Sequence, residues 1–185
     1  MTDAYSIRAM LEPDPPSDRE PRPASVRIQR RIEWSDTDAS GAYHNTAAFR
    51  LMEAAETTLV ERLGLVGDIY GRHPRAHVSA DFLRPLYFRD LVDVAIAVVA
   101  VGRTSVTYDV TISRGGEACV RGRLVAVLMD AIGGAPQPWS ARERRLFETA
   151  GEQPPELLVT EPDPSSRPRD PGRGTSRAGT HESDP

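Results

Sequence analysis

The sequence predicts an α+β domain in which a curved antiparallel sheet of about five strands wraps around one central helix. Three observations carry this. There is a single long helical pattern, five segments have the composition of strands, and the connections between the last four are short enough to favour antiparallel neighbours.

The ends set the limits of the domain. Twelve of the 16 prolines lie before Ala24 or after Ala150, in stretches with too little apolar surface to offset the entropy lost on ordering. Residues 1–24 and 151–185 are therefore expected to be disordered tails around a folded unit at 25–150. The tails hold twelve acidic and seven basic residues, leaving fifteen and sixteen for the folded part. A nearly neutral domain disfavours a nucleic-acid partner. The first thirty residues lack the apolar core of a signal peptide, and the longest apolar run, LVDVAIAVVAV, is too short to span a bilayer and contains Asp93. No membrane partner is expected, and a cytoplasmic location is.

In VRIQRRIEW, residues 26–34, Val26, Ile28, Ile32 and Trp34 fall on alternate positions with Arg30 as the exception, the pattern of a half-buried strand. From Thr46 to Leu63 apolar residues recur at 48, 51, 52, 55, 59 and 63, a helical stripe widened by Ala47, Ala54 and Val60. Asn45 is the candidate N-cap and Gly64 the candidate left-handed residue after the last turn. Glu56 is expected on the surface.

Four extended segments follow: RAHVSADFLRP, LVDVAIAVVAV, TSVTYDVTIS and EACVRGRLVAVLM. Gly115-Gly116 suits a tight hairpin between the last two, and Gly102-Arg103 is a weaker turn. A short amphipathic helix at 140–149 closes the domain. One helix covers one face of such a sheet, so the free edge and remaining apolar surface predict self-association. Cys119 lies in an alternating apolar run and reads as a small buried hydrophobe. His73 and His77 lack partners at metal-ligand spacing, so neither a metal nor a cofactor is expected.

The segment SDTDASGAYHN, residues 35–45, precedes the helix and admits two readings. DASG has Asp38 at the first and Gly41 at the fourth position of a four-residue turn, as type I turns prefer. Alternatively, the loop folds Asp38 back over the helix start, where unpaired N–H groups and the positive end of the dipole would hold a developing oxyanion. A carboxylate there could attack a thioester carbonyl or serve as base for a water.

The run RIEWSDTDASGAYHNTAAFRLMEAAETTLVERLGL resembles the start of hotdog-fold acyl-CoA thioesterases of the 4-hydroxybenzoyl-CoA thioesterase type. HVSADFLRPLYFRDLVDV is similar to that family's second strand and following turn, and VGRTSVTYDVTI to its later hairpin. The resemblance covers about Arg27 to Asp130. It implies a hotdog fold, an acyl-CoA substrate, and a homo-oligomer, dimer or tetramer, with its site at the subunit interface.

Asp38 matches the catalytic carboxylate and Asp36 a structural one. Backbone N–H groups from Gly41 to Asn45, with Asn45 the best match, would polarise the carbonyl, and Glu53 matches a recurrent acidic residue of the helix. Arg103, Thr104 and Ser105 match a turn that contacts coenzyme A, while Arg84 and Arg89 bracket a second basic turn. Ala42 and Ala48 depart from the family pattern, which bears on the acyl pocket. There Tyr43 either lines the pocket or packs at the helix entry, and His44 either stays neutral and donates a hydrogen bond, the favoured reading near a positive helix end, or acts as a general base. Hydrolysis of a carrier-protein thioester and non-catalytic acyl-CoA binding are the two alternative functions.

Overall fold

The computed structural model describes residues 21–154, so the expected tails at 1–24 and 151–185 lie, apart from four residues each, outside the described residues. The sheet has six strands: β1 (Arg22–Arg31), β2 (Arg75–Phe82), β3 (Leu91–Val101), β4 (Ser105–Arg114), β5 (Glu117–Val127) and β6 (Ala150–Glu152). Their spatial order is β2-β5-β4-β3-β1-β6. Every pairing is antiparallel except β1 with β6. The expected meander is present as β3-β4-β5. β6 comes from residues expected to begin a tail, and β1 starts three residues before the expected boundary at 25.

The central helix α1 (Asn45–Arg62) buries Ala47, Ala48, Leu51, Met52, Ala55, Leu59 and Val60 against the inner face of the sheet. That face supplies Val26 and Ile28 from β1, Val92, Val94 and Ile96 from β3, Val106, Tyr108, Val110 and Ile112 from β4, and Val120 and Leu124 from β5. Burying one such aliphatic side chain stabilises the fold by roughly 1.5–3 kcal/mol, and this alternation selects the strand register. Cys119 is buried as expected.

Gly122 on β5 leaves room for Met52 of α1, because a Cβ there would stand 2.3 Å from Met52 Cε and 2.9 Å from the Ser79 carbonyl oxygen. At the C-terminus of α1, Gly64 adopts φ +64° while Leu65 N–H donates to Val60 O and Gly64 N–H to Glu61 O. This is the Schellman arrangement, in which glycine carries the left-handed residue without a Cβ penalty.

Two short pieces carry no signal in the sequence pattern, a 3-10 turn at Trp34–Asp36 and α2 (Val66–Ile69). The first corrects the reading of Trp34 as an inward strand residue. β1 ends at Arg31, and Trp34 is 74 % exposed with its ring edge against Phe88. Helix α3 (Ala141–Thr149) is the expected closing helix, capped by Ser140, whose hydroxyl accepts from Glu143 N–H while the Glu143 carboxylate accepts from Ser140 N–H. Among the described residues no helix is long and apolar enough to cross a membrane.

Glu56 requires a second correction. It is 3 % exposed, and its carboxylate is paired with Arg75, the first residue of β2. The buried face of α1 is wider than the apolar stripe, so a charged residue falls inside it and is matched by an arginine from the edge strand.

Candidate active site

Residues 36–44 fold as a miniature hairpin leading into α1. His44 N–H donates to Asp36 O at 2.6 Å, Asp38 N–H to Ala42 O at 2.9 Å, and Gly41 N–H to Asp38 O at 3.0 Å. The last bond closes a β-turn over Asp38-Ala39-Ser40-Gly41, with Gly41 at φ +78°. Asp38 opens an ordinary turn, and the hairpin built on that turn pairs it with Ala42, three residues ahead of the helix.

The Asp38 carboxylate is exposed on a single chain. Its Oδ1 accepts from Ser40 N–H at 2.8 Å and from Ser40 Oγ–H at 2.6 Å, while Oδ2 makes no hydrogen bond among the described residues. The Ser40 hydroxyl and N–H hold this carboxyl below its ordinary value, so it is ionised at neutral pH. Sequence reasoning misses Ser40, although aspartate followed two residues later by serine is the signature of such a turn.

The helix start differs from expectation in one respect. His44, not Asn45, is the N-cap: its Nδ1 accepts from Thr46 N–H at 3.2 Å, and Asn45 is the first helical residue. A ring nitrogen replaces the usual amide oxygen as acceptor because His44 is the last residue with extended backbone. Nδ1 also lies 2.8 Å from Thr46 Oγ1.

Four of the five N–H groups considered as oxyanion donors are already engaged. Gly41 donates to Asp38 O, Ala42 to Ser40 Oγ, Tyr43 to Leu86 O and His44 to Asp36 O. Asn45 N–H makes no hydrogen bond among the described residues. Of the five, Asn45 N–H is the one without an acceptor among the described residues.

Tyr43 is the packed aromatic at the helix entry. It is 6 % exposed, lies beside Phe82 with centroids 6.3 Å apart, and its hydroxyl is pushed up to about 12 by burial. Arg84 sits at the same end of the sheet, with Nη1 donating to Ala118 O and Nε 3.6 Å from Glu117 Oε2. Arg89, at φ +73°, lies over the Phe88 ring.

Other candidates stand apart within one chain. Glu53, two turns into α1, pairs with Arg75 at 3.0 Å rather than facing Asp38. Arg103, Thr104 and Ser105 occupy the turn after β3, whose length separates them from the hairpin by on the order of 30 Å. The Arg103, Thr104 and Ser105 carbonyls are engaged by Trp139, Leu128 and again Trp139.

His73 is buried beside Glu56 and against Trp139, and no group of three or more metal-ligating side chains gathers among the described residues. A cleft of about 490 Å³ on the outer sheet face is lined by Asp81, Asp109, Arg121 and Arg123 among others, and no hairpin residue takes part in it.

This geometry has counterparts among known proteins. Residues 40–120 match the model of the Thioesterase superfamily. No curated protein sequence matches the chain. A thioesterase from Thermus thermophilus, crystallised with coenzyme A and Zn, is similar with 26 % identity and a TM-score of 0.60, over 65 % of this chain and 90 % of that one. A structure described as a predicted thioesterase from Bacillus stearothermophilus shares the fold with 22 % identity and a TM-score of 0.62, over 75 % of this chain and 99 % of that one. A 1,4-dihydroxy-2-naphthoyl-CoA thioesterase from Synechocystis does so with 16 % identity and a TM-score of 0.59, over 66 % and 95 %. The described domain is a hotdog fold whose residues 40–120 carry the sequence pattern of the thioesterase superfamily.

Proposed function

We propose that this protein hydrolyses acyl-CoA thioesters, with Asp38 as the acting carboxylate. One observation carries the reading: an ionised carboxylate with a free Oδ2 is held on a hairpin that ends at an exposed, unpaired helix N–H. Oδ2 acts on the thioester carbonyl carbon, directly or through a water. The oxygen that gains charge is received by Asn45 N–H and His44 Nε2–H at the positive end of α1. Collapse of the tetrahedral intermediate expels the thiolate. On the water route Asp38 takes the proton of the attacking water and passes it to the thiolate, and on the direct route a water then cleaves the Asp38 anhydride, freeing the carboxylic acid and the aspartate.

The coenzyme A bound to the Thermus protein supports the substrate class. Arg84, at the hairpin end of the sheet, is assigned to the phosphates of that group, a role that suits a guanidinium. Arg103, Thr104 and Ser105 can take part only where a second copy delivers its own turn.

A second copy is also what encloses the site. β2 is an edge strand paired on one side with β5 and, among the described residues, open on the other; it carries exposed Val78 and Phe82 and is followed by exposed Leu83, and Phe49 on α1 is exposed as well. We assign homo-oligomerisation to this edge, covering the hairpin and drying the carbonyl environment.

The test is thiol release from short, long and aromatic acyl-CoAs, beside matched carrier-protein thioesters, followed over time by absorbance. Asp38→Asn should lower kcat by about 10³-fold or more with the fold intact, the size of effect seen when a reacting group or its main electrostatic support is removed. Full activity in that variant would end the assignment. Binding of acyl-CoA without thiol release would make the protein a binder instead.

A further inference from the structure

From Glu33 to Ala42 no residue is buried, so apolar packing anchors only the second strand of the Asp38 hairpin, at Tyr43, and not the first strand or the turn. Trp34, the largest side chain there, is 74 % exposed. What fixes the first strand is polar, and it converges on Asp36. The Asp36 N–H donates to Glu33 O at 3.0 Å, its carbonyl accepts from His44 N–H, and its Oδ2 accepts from Glu33 N–H at 2.9 Å. The remaining oxygen, Oδ1, receives Arg50 Nη2 at 2.5 Å.

These ties differ in what they join. The bonds between 36–38 and 42–44 hold the hairpin to itself and Tyr43 N–H to Leu86 O ties its second strand to the sheet end, while Asp36 to Arg50 joins its first strand to the body of α1. The Asp36 side chain is 15 % exposed in this pair, whereas Arg50 is 56 % exposed. An arginine five residues into α1 reaches back to an aspartate two residues ahead of Asp38, so the two carboxylates of SDTD divide their work. One is clamped, and the other is left free to act.

We propose that Arg50 is a positioning residue that, by clamping Asp36 to α1, fixes the hairpin and thereby places Asp38 relative to the helix start. This rests on the catalytic reading of Asp38 for its kinetic consequence, but not for its structural one. The clamp shapes where Oδ2 stands and leaves substrate affinity, set by Arg84 and the acyl pocket, largely alone. Loss of the clamp should therefore act on kcat more than on KM. A misplacement of about 1 Å at a reacting group can cost on the order of 100-fold.

The experiment uses the full chain with Arg50→Met and Arg50→Lys. Amide hydrogen exchange is followed by NMR at Asp38, Gly41 and His44, with the β3–β4 amides as a folding control. The Met variant should exchange about 10-fold faster at the three hairpin amides and unchanged in the control strands, and the Lys variant should recover part of the protection. Against the best acyl-CoA, Arg50→Met should lose about 10- to 100-fold in kcat with KM within about 3-fold, and Lys should restore part of kcat.

Unchanged exchange at the hairpin overturns the clamp, as does unchanged kcat in an active protein. If the wild-type chain hydrolyses no thioester, the proposed function falls while the exchange data still decide the clamp.

Discussion

The carboxylate of Glu56, almost wholly enclosed on the inner side of α1, is bound by the guanidinium of Arg75, the first residue of the edge strand β2. Arg75 also reaches Glu53 one turn earlier, so the central helix and the free edge of the sheet are pinned at one point. Burial outweighs Arg75 and pushes the Glu56 carboxyl up, whereas the two carboxylates push the Arg75 guanidinium up. Removing Arg75 would leave an unmatched buried carboxylate. Arg75→Met should destabilise the domain by about 3 kcal/mol at neutral pH, at the lower end of the range for breaking a buried pair because Arg75 is partly exposed. Chemical denaturation read by fluorescence checks this.

Beside this pair, His73 is held down to about 4 by burial and by the charge of Arg75. Its folded value lies below the unfolded value near 6.5, so the native state binds fewer protons between the two. The stability that follows is fully present above about pH 6.5 and is lost as pH falls towards 4. The loss amounts to about 3 kcal/mol over that window at 1.36 kcal/mol per pH unit. His73→Phe, which keeps an aromatic ring against Trp139, should flatten this slope relative to wild type in denaturation curves taken from pH 4 to 7.

Arg62 at the end of α1 donates to four carbonyls, those of Ser25, Ala150, Gly151 and Glu152, at 2.7–3.0 Å. It ties β1 and β6 to the helix. Arg62→Met should cost about 2–3 kcal/mol, since the carbonyls near the helix end lose a charged donor. Hydrogen exchange should rise first in β6.

Gly122 lacks room for a side chain. Met52 Cε can move aside, but the Ser79 carbonyl belongs to the backbone of β2. Gly122→Ala should therefore destabilise by about 1–3 kcal/mol, and thermal unfolding will show it. A fully tolerated alanine would mean that the helix and sheet can separate further than their contact suggests.

Ser40 tunes the candidate catalytic group. Ser40→Ala removes the largest contribution holding the Asp38 carboxyl down, so its titration should move up towards the ordinary value. Carboxyl-resolved NMR titration measures this directly, and the acid limb of hydrolysis should move to higher pH with it.

Much of this molecule is legible along the chain. The spacing of apolar residues in Ala48–Leu63 and the alternation in Val106–Ile112 reflect the two periods of a backbone packed on one side, so helix and strands can be read residue by residue. Trp34 is misplaced by the same logic because alternation does not show where a strand stops. The chain turns after Arg31 to form the hairpin, and Trp34 is left outside. Glu56 escapes the pattern because its partner lies nineteen residues away in β2, and periodicity cannot pair a charge across elements. Asn45 loses the cap to His44 by one position, the margin at which cap chemistry is least distinct.

Element order, the single central helix, the boundaries marked by Gly64 and Ser140, and the resemblance that singles out Asp38 are all encoded locally, because each rests on backbone geometry and side-chain chemistry within a short stretch. Three further facts emerge solely from the folded chain: which N–H groups ahead of the helix are already engaged, that Arg50 reaches back to Asp36, and that Arg103 lies at the far end of β3. They depend on how distant segments meet in space, and the energy that brings those segments together is shared among contacts no single stretch contains.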